Sequence, residues 1–185
     1  MNKFCLLFFI LAIFVLSSCK ESQQKRSEKI VSEWKDREII IPDNITFKSL
    51  RQDTLCTYLW DKPYKIFTYI DSIGCTACNM NLYGWKGIIQ LCKQEQFDVG
   101  FIFAVHSSNY NSFDADIVMY SFDYPIIYDY NNDFDKLNNF PPAPYRTFLL
   151  DKDNKVLLVG SPIGNIEMWE KYKSSFQFSV FSFQK

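Results

Sequence analysis

Blocks of apolar residues alternate along the chain with segments of helical periodicity, which predicts a sheet interleaved with helices. Two runs rich in aromatic and β-branched residues, Tyr64–Ile70 and Val99–Val105, have the composition of strands. The second is continuously apolar, which is typical of a central strand buried on both faces. Between these runs a helix is predicted from Thr76 or Cys78 to about Gln94. Its apolar positions recur at helical spacing: Leu82, Trp85, Ile88, Ile89 and Cys92.

Shorter patterns complete the predicted order, which is hairpin, β-α-β-α-β-α-β-β-α. The predicted short strands are Glu38–Pro42, Ile45–Leu50, Thr54–Leu59, Tyr124–Tyr128, Tyr145–Leu150 and Lys155–Val159. The further predicted helices are Asp114–Phe122, Asp133–Asn139 and Asn165–Ser174. The tail Phe176–Phe183 alternates aromatic residues with Ser and Gln, which predicts an edge strand or a loose segment. Strands that alternate with helices favour a layered α/β domain.

The first 18 residues have the pattern of a bacterial export signal. A charged start, with Lys3, precedes an uncharged apolar run from Phe4 to Leu16, and this run is too short to span a membrane. The sequence then reads Leu16-Ser17-Ser18-Cys19, which resembles a lipobox. That resemblance implies cleavage before Cys19 and lipidation of its thiol. Several acyl chains would anchor the chain firmly to a membrane.

Residues 19–36 are predicted to form a lipidated tether, because the stretch from Lys20 to about Lys35 is strongly polar. Residues 37–185 are long enough for one domain, and 18 Phe, 11 Tyr and 4 Trp supply ample material for its core. The formal net charge of −1 makes nucleic acid an unsuitable partner. No Lys or Arg occurs between Lys93 and Lys136, so one flank of the domain is expected to be acidic.

The motif that can carry out thiol chemistry is Cys75-Thr76-Ala77-Cys78. It follows a predicted strand and begins a predicted helix. Two cysteines at this spacing can close a small disulfide. A helix N-terminus stabilises a thiolate and lowers its pKa, so the first thiol can attack at neutral pH. The second thiol, one turn further on, can resolve the mixed disulfide that forms.

Three segments of the chain resemble thioredoxin-fold proteins of the TlpA/ResA-type and AhpC/TSA-type thiol-disulfide oxidoreductases. Residues 69–78 match the strand, loop, CxxC and helix element, residues 124–129 match a middle strand, and residues 146–156 match a late hairpin. The resemblance covers roughly residues 38–175. It implies a three-layer sandwich, a central mixed sheet flanked by helices, with an N-terminal β-hairpin extension. It also implies that Cys75 is the attacking thiol and Cys78 the resolving thiol.

The chain departs from that family at two places. Members of the fold usually carry a cis-proline just before the late hairpin, facing the CxxC motif. The candidates here are Pro141, Pro142 and Pro144, of which Pro144 is the best placed, although it lies one residue further from the hairpin than usual. Gly74 stands where many members have Trp before the first cysteine. A peroxiredoxin is disfavoured because the Pro-x-x-x-Thr-x-x-Cys arrangement is missing.

Other candidate sites carry less weight. Cys92 is expected to be a free core thiol, although pairing with Cys56 stays open. The single histidine, His106, ends a buried strand, and we expect it to have a structural role. The CxxC spacing of the two cysteines also disfavours a protein that delivers copper. The acidic residues from Asp129 to Asp135 lack the Gly and Glu of a calcium loop. A zinc site is also disfavoured, because it needs four ligands.

The sequence thus predicts a membrane-anchored thiol-disulfide oxidoreductase in the extracytoplasmic bacterial cell envelope. Its partners are client proteins and an unidentified redox partner, and the chemistry needs no dissociable cofactor. The alternative is a non-catalytic lipoprotein that uses the same fold as a binding or scaffold module.

Overall fold

The computed structural model describes residues 23–43, 45–71 and 80–182, and the chain divides into two compact units, residues 1–34 and 35–185. In the first unit, residues 23–34 form helix α1. The sequence patterns did not predict this helix, and the lipidated tether at residues 19–36 stays a prediction. Polar side chains four residues apart support the helix: the Gln24 amide donates to Glu28 at 2.9 Å, and Lys29 lies 3.7 Å from Glu33.

The second unit is built on one mixed sheet of seven strands. These are β1 (Phe47–Ser49), β2 (Gln52–Thr54), β3 (Tyr64–Ile70), β4 (Val99–Val105), β5 (Ile126–Tyr128), β6 (Thr147–Leu150) and β7 (Val156–Val159). Their order across the sheet is β2-β1-β5-β4-β3-β6-β7. Strand β4 runs parallel to β3 and β5, and all other neighbours are antiparallel. The β1–β2 pair is the predicted N-terminal hairpin, and it extends the sheet beyond β5.

Helices cover both faces of this sheet. They are α2 (Leu82–Gln94), α3 (Tyr110–Met119), α4 (Asp133–Asn138) and α5 (Ile166–Ser182), with a short 3-10 helix at Thr57–Leu59. Side chains of α2, α3 and α5 pack in one core with Ile66 and Phe103 of the central strands. On the opposite face the Phe67 ring lies 5.5 Å from that of Phe134 in α4. The three-layer α/β architecture predicted from the sequence is therefore confirmed.

The N-terminal part of the domain differs from the prediction. The strand predicted at Thr54–Leu59 is instead Gln52–Thr54, because the hairpin turns at Leu50 and Arg51, whose φ angles are 45° and 73°. Of the strand predicted at Glu38–Pro42, only Glu38 forms a bridge, with Lys155 beside β7. Between Val99 and Val159 the predicted elements are present, with ends shifted by up to four residues.

The prediction for the C-terminal tail is wrong, because helix α5 continues to Ser182. The alternation of aromatic and polar residues suggested a strand, but Phe176 makes helical contacts. Its ring lies 6.3 Å from that of Tyr172, one turn earlier. It also contacts Tyr64 at 5.6 Å and Phe97 at 5.1 Å, so burial against the sheet decides the conformation of this segment.

Within the described residues, no helix has both the length and the apolar content that a membrane crossing requires. The predicted export signal, residues 1–18, and the predicted lipidation site, Cys19, lie outside the described residues.

Candidate functional site

A cavity of about 590 Å³ lies at the carboxyl end of β3. Strand β3, the first turns of α2 and the loop before β6 contribute its walls, through Asp71, Trp85 and Arg146 among others. Ser161 and Ile163, from the loop after β7, complete the lining. Because parallel strands place their carboxyl ends at one edge of a sheet, this edge is where α/β domains commonly bind ligands.

The cysteines of the CxxC motif, Cys75 and Cys78, lie outside the described residues. The described residues on either side of that segment are Asp71 and Met80, and both line the cavity. The chain therefore enters and leaves the cysteine-bearing segment at this cavity. The roles predicted for Cys75 and Cys78 stay predictions.

Among the three prolines that the sequence left open, the described structure has a cis peptide bond at Ala143–Pro144. Pro142, Ala143 and Pro144 all line the cavity. The predicted contact of Pro144 with the two cysteines involves residues outside the described ones, so it stays a prediction.

An ion pair between Asp71 and Arg146 lies in the cavity wall. The two side chains are 21% and 17% exposed, so the pair is largely shielded from water. Arg146 also donates from Nε to the Pro141 carbonyl at 2.7 Å, and its guanidinium lies 5.7 Å from the centre of the Tyr69 ring. The side chain is thus held from three directions, and its orientation is well determined.

Tyr69 joins this group from β3. Its ring stacks on Phe140 with centroids 4.7 Å apart, and its hydroxyl donates to the Asn132 side chain. Burial raises the pKa of Tyr69 well above its usual value, and the nearby carboxylates of Asp135 and Asp129 raise it further. The phenol is therefore neutral at physiological pH and serves as a hydrogen-bond donor.

His106 and Asp129 serve the framework beside the cavity. His106 Nδ1 lies 2.9 Å from the Asp129 carbonyl oxygen, and the His106 amide donates to Ile70 at 2.8 Å. The buried Asp129 carboxylate accepts from the amides of Asp133 (2.7 Å) and Phe134 (3.0 Å), at the start of α4. This carboxylate caps a helix. Among the described residues, no cluster of three or more His, Cys, Asp or Glu could hold a metal ion.

The two cysteines within the described residues, Cys56 and Cys92, are both buried and both free. The pairing left open by the sequence is therefore not formed in this structure. Cys92 packs in the main core, as predicted, and burial raises its pKa to about 12. At neutral pH it is a protonated thiol without nucleophilic character.

Part of the predicted acidic flank is neutralised by neighbours. Asp98 pairs with Lys62 at 2.7 Å. Asp114 accepts from the Tyr128 hydroxyl at 2.6 Å and lies 3.5 Å from Arg51. These carboxylates therefore contribute to the architecture of the domain.

Sequence reasoning missed the partnership of Asp71 with Arg146. The two residues appeared there only within the stretches 69–78 and 146–156, which resemble separate elements of the fold. The sequence held no local signal for this pair, because it depends on the strand alignment: Thr68 of β3 pairs with Thr147 of β6, so the residues just beyond them come together. The Tyr69 amide donates to the Arg146 carbonyl at 2.9 Å as a result.

Comparisons with known proteins bear on the fold. No protein-family model matches the chain, and no curated protein matches it by sequence. A solved structure of a thiol:disulfide interchange protein DsbE, described as putative, from Chlorobium tepidum matches with a TM-score of 0.58 and 12% identity, covering 77% of this chain and 99% of that one.

Two further solved structures match in the same way. The thioredoxin domain of a thiol-disulfide oxidoreductase from Bacteroides vulgatus gives a TM-score of 0.56 and 10% identity over 77% of this chain and 97% of that one. StoA from Bacillus subtilis gives 0.50 and 15% identity over 70% and 98%. Together with the sheet order and the helices on both faces, these matches show that the chain has a thioredoxin-like fold.

Proposed function

We propose that this protein is a thiol-disulfide oxidoreductase that exchanges disulfides with client proteins through Cys75 and Cys78. The observation that carries the proposal is the convergence of Asp71, Met80 and Pro144 on one cavity. The first two flank the CxxC segment, and the third is the proline that the sequence singled out. The solved structures with this fold include proteins described as thiol-disulfide oxidoreductases, which supports the same chemistry here.

The proposed reaction is an exchange in two steps. The Cys75 thiolate attacks one sulfur of a client disulfide, which forms a mixed disulfide and releases one client thiolate. The Cys78 thiolate then attacks the Cys75 sulfur, which releases the second client thiolate and leaves a Cys75–Cys78 disulfide. Two electrons pass to the client, and a dithiol redox partner restores the reduced pair. The same steps in reverse oxidise a client dithiol.

We further propose that the protein acts in the cell envelope, anchored by lipid at Cys19. The support is the sequence of residues 1–19, with its short apolar run and lipobox-like end. An extracytoplasmic compartment permits disulfides, so a CxxC pair would have clients there. Mass spectrometry of the membrane-extracted protein tests this proposal. An N-terminal Cys19 carrying acyl chains is expected, and an unmodified N-terminus would contradict the anchor.

Reduction of insulin disulfides by dithiothreitol tests the redox function, with the full chain in detergent as catalyst. The wild-type protein is expected to accelerate insulin precipitation, and the Cys75→Ser variant is expected to match the uncatalysed rate. The Cys92→Ser variant is the matched control, because this thiol is buried and protonated, and it should retain the wild-type rate. A Cys75→Ser variant as active as the wild type would overturn the proposal and favour a binding module.

A further inference from the structure

Strand β2 is the outermost strand of the sheet on the side of the hairpin extension. The Thr46 carbonyl accepts from the Tyr128 amide at 3.1 Å, so residues 46 and 48 of β1 direct their main-chain groups to β5. Residues 47 and 49 of β1 therefore bond to β2. Asp53 lies opposite Lys48, so the Asp53 amide and carbonyl point away from the sheet. Within the described residues, no further strand pairs with this edge.

The alternation of the strand continues past its last residue, Thr54. Leu55 is 91% exposed, whereas Cys56 is 5% exposed and buried. Asp53 and Leu55 thus lie on one side of the chain, and both direct their main-chain groups outward. A cavity of about 300 Å³ adjoins this edge and is lined by Phe47, Asp53 and Leu55 among others. Proteins generally protect an open sheet edge, so a leucine this exposed is typical of an edge that another strand covers.

Two copies of this strand can pair antiparallel about a twofold axis, and three registers pair the Asp53 main chain with a residue of the same alternation: Arg51, Asp53 or Leu55. In the first register Arg51 would join the ladder, but its φ of 73° does not fit a strand. In the second, two Asp53 carboxylates would stand directly opposite each other, which is destabilising. The third is centred on Thr54 and places Asp53 opposite Leu55 of the second copy. It avoids both conflicts, and each Asp53 keeps its own partner Lys48, 3.8 Å away.

We propose that this chain forms a symmetric dimer, in which β2 pairs with β2 of a second copy and Thr54 lies on the twofold axis. Asp53 of each copy exchanges two main-chain hydrogen bonds with Leu55 of the other copy. The four bonds continue the sheet through both molecules, and the same residues satisfy both sides, as a closed twofold interface requires. Because the paired edge is short, the dimer is transient and depends on protein concentration.

Disulfide cross-linking tests the register. The two Thr54 residues form a pair without mutual main-chain bonds, whose Cα atoms lie about 4.5 Å apart, within the range that a disulfide spans. The Thr54→Cys variant is made together with Cys56→Ala, because the Cys56 sulfur lies 3.7 Å from Thr54 Oγ1 and would compete. The full chain in detergent is oxidised mildly, and peptide mass spectrometry identifies the linked positions. A link between the two residues at position 54 is expected.

The Lys152→Cys variant, in the same Cys56→Ala background, is the matched control for random collision. The Lys152 side chain is 75% exposed at the turn between β6 and β7, and these strands end the sheet at its opposite edge. We therefore expect no link between the two residues at position 152.

Two changes of the same exposed side chain test the charge argument. Leu55→Asp places a carboxylate opposite Asp53 of the second copy and should abolish the link at position 54. Leu55→Lys places an ammonium there and should retain it. Leu55 is exposed, so both variants should keep the fold, which near-ultraviolet circular dichroism checks. If Cys56→Ala prevents folding, sedimentation velocity of these two variants in the otherwise native chain still gives opposite expectations, a monomer and a dimer at high protein concentration.

Self-pairing of β2 is contradicted if position 54 gives no link, if position 152 links equally well, or if Leu55→Asp and Leu55→Lys behave alike. A link from position 54 to a different protein in intact membranes would assign the edge to another partner and would equally contradict self-pairing. None of these results bears on insulin reduction, which tests the proposed function separately.

Discussion

Strand β3 has a cation that is shielded from water near each end, and the two cations are stabilised in different ways. At its start Lys65 is fully buried, and Nζ donates to the main-chain carbonyls of Lys152 at 2.9 Å and Trp60 at 3.2 Å. At its far end Arg146 pairs with a carboxylate, Asp71, in the wall of a cavity. Burial lowers the pKa of Lys65, while the carboxylates of Asp151 and others partly oppose this shift. We call these regions the closed end and the cavity end.

The cysteines follow the same division. Cys92 lies in the last turn of α2, before the start of β4, and is packed in the core at the closed end. Cys75 and Cys78 precede α2 in the sequence, and the residues described on either side of their segment, Asp71 and Met80, line the cavity. One helix thus separates a thiol whose pKa is raised to about 12 from the two thiols proposed to react. Buried groups at the closed end support the fold, and the shielded ion pair at the cavity end lines the proposed site.

Among the tests of this division, we expect the largest effect from Cys92, whose ionisation at high pH lowers the free energy of unfolding. Its pKa rises from 9.0 to about 12 on burial, so its contribution to stability is complete below pH 9 and is lost as the pH rises to about 12. The loss amounts to about 4 kcal/mol at most. Chemical denaturation between pH 8 and 11 should show a shallower decline for Cys92→Ala than for the wild type. Identical slopes would contradict a buried, protonated thiol.

The Tyr124→Phe variant tests a second, higher pH range in the same experiment. Burial raises the pKa of Tyr124 from 10.0 to about 12, so its contribution is lost only above pH 10. The variant also loses the hydroxyl that accepts from the Phe101 amide at 3.3 Å, so its curve should lie below the wild-type curve, run parallel to it up to pH 10 and decline less steeply beyond. A divergence already at pH 9 would mean that the substitution acts through packing.

Substitution of Lys65 by Met tests the closed end directly. The change leaves two buried carbonyls without their donor, and we expect the free energy of unfolding to fall by about 2 to 3 kcal/mol. The rate of insulin reduction should stay at the wild-type value, because Lys65 lies away from the cavity. If the variant has wild-type stability but reduces insulin more slowly, the two ends of β3 do not have the separate roles described here.

Two glycines of α2 give a smaller effect with a built-in control. A Cβ at Gly84 would lie 2.6 Å from Ile163 Cγ2, in the loop that lines the cavity, whereas a Cβ at Gly87 would meet nothing within 4 Å. Gly84→Ala should therefore destabilise the protein by about 1 to 2 kcal/mol. Gly87→Ala should stabilise it by about 0.5 to 1 kcal/mol, because alanine favours the helix. Thermal unfolding measures the stability change of each variant. If Gly84→Ala and Gly87→Ala change stability equally, the packing around Ile163 is loose.

The sequence predicted best where one local signal dominated. Strands Tyr64–Ile70 and Val99–Val105 have the predicted bounds, because their continuous apolar and β-branched runs suit buried central strands. The prediction failed at Phe176, where period-two alternation competed with helical contacts to Tyr172. Only tertiary packing decides between such alternatives.

The candidate site was predictable in its chemistry but not in its electrostatics. The spacing of Cys75 and Cys78 after a strand is a local signal, and it pointed to redox exchange. The ion pair joins Asp71 and Arg146 across 75 positions of sequence, so it depends on the antiparallel register of β3 and β6. No local pattern encodes that register, and it emerges only once the strands are paired.

The most direct test of the central claim is a redox titration of the full chain in glutathione buffers, followed by rapid alkylation and peptide mass spectrometry. We expect one two-electron transition, in which Cys75 and Cys78 form a disulfide while Cys56 and Cys92 stay reduced at every ratio. If Cys75 and Cys78 stay reduced across the whole range, or if oxidation joins other cysteines instead, the protein is not the oxidoreductase proposed here.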